Sequence, residues 1–189
     1  MENINYWESR YVSGGNSGAG SYGCLLDFKA QVLNCFIRDN GITSVQDFGC
    51  GDGSLLRDLR LDGIQYYGYD ISNFVLDKLK EEFKDKAFIH LDDYQNLTSD
   101  LVISIDVIFH LVNQESYEKY IQLIQRATTK FLIVYSSNID DMGVFGNHIK
   151  HHMFVPDIKM DLVGKIQNHY PFFKFGEKGS FCDFYIFQK

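Results

Sequence analysis

The sequence predicts an α/β fold in which a mostly parallel sheet is the middle of three layers and the last strand runs antiparallel. Three observations carry this. Short apolar runs alternate with helical patterns through most of the chain. Such alternation calls for right-handed crossovers that cover both faces of a parallel sheet. The chain then ends in two apolar runs joined by a glycine-containing turn, the mark of a hairpin. With 189 residues, 45% apolar and 15% aromatic, it is long enough to bury a core without disulfides or metals, and residues 1–189 read as one globular domain.

The opening MENINYWESR is acidic and polar where a secretory signal would be basic and then apolar. The most apolar long run, LVISIDVIFHLV, is too short to span a bilayer and carries Asp106 and His110. A cytoplasmic protein with no membrane partner is expected. A Gly/Ser-rich stretch, Ser13 to Gly23, reads equally as a flexible surface loop or as a lid. Leu25, Phe28, Val32, Leu33, Phe36 and Ile37 then recur at helical spacing up to Asn40-Gly41. SVQDF is the first strand, followed by a helix from Ser54; IQYYGYD is the second, followed by a helix over Ser72 to Lys84; AFIHL is the third. DLVISID is the fourth, followed by a helix near Glu115 to Ala127, and KFLIVYSS is the fifth. Pro156 to Tyr170 reads as a helix begun by proline, and residues 171–175 and 181–187 as the strands of the terminal hairpin.

Composition narrows the partners. With 18 basic against 25 acidic residues and a net charge of -7, nucleic acid is disfavoured, because phosphate binding needs clustered Lys and Arg. Cys24, Cys35, Cys50 and Cys182 form no C-x-x-C pair and read as reduced, buried thiols.

The stretch DFGCGDG, Asp47 to Gly53, follows the first strand and opens a helix, where glycines let a backbone approach a ligand while helix amides point at it. Its spacing is neither the G-x-G-x-x-G of a pyrophosphate site nor a P-loop. An acid at its start, Asp47, would repel a diphosphate and welcome an ammonium or sulfonium group. Asp70 closes the second strand about twenty residues on, where a carboxylate accepts both ribose hydroxyls of a nucleoside. Together they point to an adenosyl cofactor. Asp92-Asp93 follow the third strand, placed to meet an adenine amino group, and Asp106 ends the fourth near the same crevice. All lie at carboxyl ends of strands, where open parallel sheets bind their ligands.

From DFGCGDG through YYGYDIS, HLDDY and DLVISIDVIFHL, the sequence resembles the class I S-adenosylmethionine-dependent methyltransferases. The resemblance implies a Rossmann-like, seven-stranded sheet with a final antiparallel strand inserted. It implies S-adenosyl-L-methionine as cofactor and S-adenosyl-L-homocysteine as product, with Gly49, Cys50 and Gly51 against the methionine part. Asp70 with Ile71 would meet the ribose, and Asp92 or Asp93 the adenine. In the lid reading, Tyr11 and the backbone of Gly14 and Gly15 fold over the methionine carboxylate. The flanks WESRY, SGGNSGAGSYG and HIKHHMF resemble a bacterial subgroup associated with surface-polysaccharide genes.

Methyl transfer from a sulfonium is a direct displacement, so the protein mainly aligns the acceptor and excludes water. A neutral amine needs no base, whereas a hydroxyl gains from a side chain that takes its proton. His110, beyond the fourth strand, and His148, in YSSNIDDMGVFGNHIKHH, are the candidates. Each has a plainer reading, a packed helix-capping residue for His110 and a solvated loop for His148, His151 and His152. Lys150 would suit an anionic acceptor. A metal held by HIKHH and His110 is disfavoured, since metal-using family members carry an acid inside that motif. The favoured function is O-methylation of a polar small molecule, such as a sugar, a nucleotide-linked sugar or a phosphorylated or phosphoramidate precursor of a surface or capsular polysaccharide. One alternative is an N-methyltransferase on an amine or protein, which would carry Asn/Asp-Pro-Pro-Tyr where this chain has Asp106-Val107-Ile108-Phe109. Another is a catalytically silent binding module, against which the intact glycines and Asp70 argue.

Overall fold

The computed structural model describes residues 4–139, 144–145 and 148–189. In chain order the elements are α1 (Ile4–Val12), α2 (Gly23–Asp39), β1 (Ser44–Phe48), α3 (Ser54–Asp58), β2 (Gln65–Asp70), α4 (Asn73–Glu82), β3 (Ala87–His90) and β4 (Ser99–Ile105). They continue with α5 (Gln114–Ala127), β5 (Thr128–Ser136), β6 (Val144–Phe145), β7 (Ile149–Lys150), β8 (Asp161–Ile166), α6 (Phe172–Phe175) and β9 (Asp183–Gln188). The main sheet has seven strands in the order β3-β2-β1-β4-β5-β9-β8, and β6 with β7 makes a separate two-stranded ribbon. Strands β1 to β5 pair in parallel, whereas β9 is antiparallel to both of its neighbours. The chain runs outward through β1, β2 and β3, then returns to the other side of β1 as β4. That reversal splays the connections apart and leaves a crevice at the carboxyl ends of β1 and β4.

Alternation along each strand divides the core between two faces. Val45, Tyr66, Leu101, Ile103 and Ile133 pack with Phe28, Leu33, Leu56 and Leu76, so α2, α3 and α4 cover one face. Phe48, Tyr69, Val102 and Leu132 pack with Tyr117, Ile121, Ile124, Phe154 and Ile158, so α5 and the segment after β7 cover the other. Helix α5 shows why its sequence folds this way. Asn113 Oδ1 caps it by accepting from the Ser116 amide at 3.0 Å, and Glu115 and Lys119 pair across one turn on the solvent side at 2.6 Å. In α2 the buried stripe Leu25–Phe28–Leu33–Ile37 also contains Lys29, a charge where the period demands an apolar residue.

The end of the chain corrects the sequence expectation. Instead of a helix over 156–170, only Val155–Asp157 turn helically, and Asp161–Ile166 form the edge strand β8. Residues 171–175, expected as a strand, make the short helix α6 behind Pro171. The hairpin therefore exists, but it joins β8 to β9 across a long connector. Of Ile158, Leu162 and Ile166, which share helical spacing, Ile158 is buried and Leu162 stays exposed, so the three do not form one buried helix face. Pairing with β9 satisfies the backbone of a segment that holds Val163 and Gly164, both poor helix formers. Part of the polar segment after β5, residues 140–143 and 146–147, lies outside the described residues.

Candidate active site

A cavity of about 670 Å³ opens at the carboxyl edge of the sheet. Its first wall is the turn after β1. Gly49 and Gly51 both have left-handed backbones, φ +92 and +54, and a side chain would collide in each place. A Cβ on Gly49 would lie 2.3 Å from Val107, so the turns after β1 and β4 interlock. A Cβ on Gly51 would lie 2.5 Å from Ser17 Oγ and 3.2 Å from the Tyr11 hydroxyl, so this glycine leaves room for a covering segment as well as for a ligand.

Asp70 stands beside that turn with each carboxylate oxygen fixed by a backbone amide, Gly51 at 2.9 Å and Ser72 at 3.0 Å. Burial raises its pKa, against the pull of those amides. A carboxylate offers about four acceptor positions, so lone pairs remain for two hydroxyls of a ligand. Asp47 is buried and accepts from the Tyr66 hydroxyl at 2.8 Å. Burial, aided by the nearby Asp70 charge and opposed by the Tyr66 hydrogen bond, pushes its pKa up to about 7.

The Gly/Ser stretch is folded over the turn. Ser17 Oγ accepts from the Asp52 amide at 3.0 Å and meets the Tyr11 hydroxyl at 3.0 Å, while the Ser17 amide donates to Asp52 Oδ2 at 2.9 Å. The Tyr22 hydroxyl also donates to Asp52. Although burial works against it, these bonds hold the Asp52 carboxyl below its usual range. Helix α1 is tied down separately, its Glu8 carboxylate accepting from Ser72 Oγ at 2.5 Å. The stretch is thus held against the glycine turn by side-chain hydrogen bonds.

At the other end of the cavity, Lys29 is 1% exposed and donates to the Gly20 carbonyl at 2.8 Å and to Asp106 Oδ2 at 2.5 Å. Asp106 has φ +59, a left-handed conformation that costs a non-glycine residue about 1–3 kcal/mol unless the surroundings impose it. His110 ends a short helical turn, Ile108–His110. Its Nδ1 lies 2.9 Å from the His148 carbonyl, which only accepts, so Nδ1 carries the hydrogen and Nε2 the lone pair. Trp7 meets the His110 ring edge-on at 5.0 Å, and the His148 ring lies parallel to it at 5.8 Å. Burial lowers the His110 pKa to about 4, against the His148 carbonyl and the Asp106 charge.

Three comparisons bear on this arrangement. Residues 46–130 match a protein family described as a methyltransferase domain. The acidic, aromatic-lined cavity, with Asp70 held for a diol, suits an S-adenosyl cofactor. No curated protein sequence matches the chain. Solved structures share the fold. The N-methyltransferase NodS from Bradyrhizobium japonicum WM9, in complex with S-adenosyl-L-homocysteine, aligns with a TM-score of 0.76 at 12% identity over 99% of this chain and 98% of that one. Magnesium protoporphyrin IX methyltransferase from Synechocystis PCC 6803, with bound SAM, aligns at 0.66 and 16% identity over 100% and 96%. The methyltransferase domain of bacterial CtHen1-C aligns at 0.64 and 16% identity over 85% and 96%.

The cavity brings together most of the residues singled out in the sequence: Tyr11, Asp47, Gly49, Cys50, Gly51, Asp70, Ile71, Asp92, Asp106 and His110 all line it. Gly14, Asp93 and His148 do not. Gly14 borders a smaller cleft outside the Ser17–Asp52 clasp, and Asp93 points into solvent. His148 meets His110 through its carbonyl instead of presenting its own ring to the cavity. Sequence reasoning missed Trp7, Ser17 and Lys29, which line the cavity too, and His90. The His90 Nε2–H reaches the Ile71 carbonyl at 3.0 Å and its Nδ1 accepts from the Asp92 amide at 3.2 Å, so His90 braces two cavity residues together. Among the described residues, no group of three or more His, Cys, Asp or Glu is placed to hold a metal ion, and no helix is long and apolar enough to cross a membrane.

Two expected results arise here. Asp70→Ala weakens S-adenosylhomocysteine binding by about 1.5–3 kcal/mol, roughly 10- to 150-fold, the worth of hydrogen bonds to a charged acceptor. Unchanged affinity by calorimetry would remove Asp70 from the ribose. For Asp47, the α-ammonium of a ligand in the cavity favours the ionised carboxylate, so affinity for S-adenosylhomocysteine rises as pH climbs through about 7 and binding releases a proton. Calorimetry in two buffers of different ionisation heat reads that proton, and Asp47→Asn abolishes it. The same proton count in Asp47→Asn would place the titration elsewhere.

Proposed function

We propose that the chain is an O-methyltransferase of a polar small molecule, with His110 accepting the proton of the attacking hydroxyl. The observation that carries this reading is the His110 imidazole, held neutral and in a fixed tautomer at the cavity wall. S-adenosylmethionine supplies an electrophilic methyl group on a sulfonium. The protein then has three tasks. Asp70, the glycine turn and the segment of Ser17 hold the nucleoside and amino-acid ends and exclude water, which leaves alignment of the acceptor as the main source of rate. Trp7 and Tyr11, stacked on each other at 5.8 Å, supply an aromatic part of the cavity wall. His110 Nε2 takes the hydroxyl proton as the new carbon–oxygen bond forms, and the neighbouring Asp106 carboxylate favours the imidazolium that results.

Sugars, nucleotide-linked sugars and phosphorylated or phosphoramidate precursors of surface polysaccharides are the acceptors in this reading, supported by the flanking sequences. The test is a screen of such hydroxyl compounds beside amines of similar size, following S-adenosylhomocysteine release and then the mass and fragmentation of the product. A methyl ether is the expected product. Turnover confined to amines would replace this reading with N-methylation.

A further inference from the structure

β9 begins beside the end of β5, with Ser136 opposite Asp183, and β8 ends beside the start of β9, with Ile166 opposite Phe184. The connector between β8 and β9 therefore lies on the same edge of the sheet as the cavity. Its base is rigid. Buried Asn168 donates to the Tyr170 carbonyl at 3.0 Å and the Ser180 carbonyl at 3.3 Å, accepts from the Tyr170 amide at 3.0 Å, and gives its own amide to Asp183 at 2.9 Å. The tip held by this base is FFKFGEKGSF. Phe173 is 87% exposed, and Phe172, Phe175 and Phe181 are exposed beside it, with Phe172 stacked on Phe181 at 4.4 Å. Lys174 and Lys178 are exposed among them. Four exposed phenylalanines on one short segment amount to an apolar patch of the kind that marks an interaction site.

We propose that this tip docks the enzyme peripherally on an anionic lipid bilayer. Phe173 projects from a braced loop instead of lining a groove, the form suited to insertion among acyl chains and not to a flat protein interface. Lys174 and Lys178 outnumber Glu177, the one acid of the tip, on a chain whose net charge is -7, so an anionic surface would meet less repulsion here than from the chain as a whole. Sequence reasoning expected no membrane partner because it looked for a span. A surface hook leaves no such signature. Docking of this kind brings the cavity edge to the bilayer and does not rest on which atom is methylated.

The test is co-sedimentation of the whole chain at low salt with vesicles of phosphatidylcholine alone and with vesicles of equal parts phosphatidylcholine and phosphatidylglycerol. The expected result is stronger association with the anionic vesicles, weakened about tenfold by Phe173→Ser and reduced to the zwitterionic level by Lys174→Glu with Lys178→Glu. S-adenosylhomocysteine affinity, unchanged in these variants, reports that they are folded. Failure of the wild-type chain to bind either vesicle overturns the proposal, as does equal binding by wild type and Phe173→Ser. A wild-type dimer that Phe173→Ser dissociates overturns it in favour of contact between two copies.

Discussion

Replacing His110 by alanine is expected to lower turnover by about 10²–10⁴, the usual worth of a positioned acid–base group, while S-adenosylhomocysteine binds nearly as before. The pH profile carries the sharper signature. Burial holds the imidazole pKa at about 4, so the base is already neutral at physiological pH and kcat/KM stays flat from neutrality downward. Activity falls only as pH approaches that value and the lone pair is lost. The same depression bears on stability. Because the unfolded histidine titrates near 6.5 and the folded one near 4, the unfolded chain binds more protons between those values. Stability therefore drops as pH falls through this window and levels off below it. Turnover against pH for wild type and His110→Ala, at saturating acceptor, decides the matter. Near-normal turnover in the variant would show that alignment alone suffices and that His110 only packs.

The second large effect is expected at Lys29. Its ammonium is paired with Asp106 at 2.5 Å, with side chains only 2% and 17% exposed. Lys29→Met preserves bulk but leaves a largely buried carboxylate without its partner, which costs about 3–5 kcal/mol; the water that reaches Asp106 favours the lower figure. The double variant Lys29→Met with Asp106→Asn should recover most of the loss, since removing both charges of a buried pair is often nearly neutral. Urea unfolding measures both through the midpoint at constant slope. Equal destabilisation in the single and double variants would mean that Lys29 acts through packing against Tyr135, whose ring lies 5.2 Å from the ammonium, and not through charge.

The parts of the fold that were legible in the sequence are those governed by local period. SVQDF became β1 residue for residue, and the helical spacing from Leu25 up to Asn40-Gly41 became α2, Gly23–Asp39. The region 156–175 was misread because its apolar spacing fits either period, and the choice was made by β9, a partner far along the chain. The site divides in the same way. Asp47, Gly49, Gly51 and Asp70 were legible because a turn after a strand dictates them locally. Lys29, Trp7 and Ser17 were not, since each owes its place to tertiary contact. Lys29 did leave a trace: it stands between Leu25 and Leu33, one turn from each, where a solvated lysine has no reason to be. His148 could be seen in sequence only as an imidazole, whereas the structure employs its carbonyl.

Sequence distance also sets an order of assembly. Glu8 meets Ser72 across 64 positions, Ser17 meets Asp52 across 35, and Lys29 meets Asp106 across 77. Ser17 thus finds its partner once β1 has been synthesised, Glu8 once β2 has, and Lys29 only after β4. Until then α2 carries an uncompensated ammonium on the stripe it must bury. Seating that charge has to wait for the end of β4, so the covering segment, whose Gly20 carbonyl shares the Lys29 ammonium, is completed only once the first four strands exist.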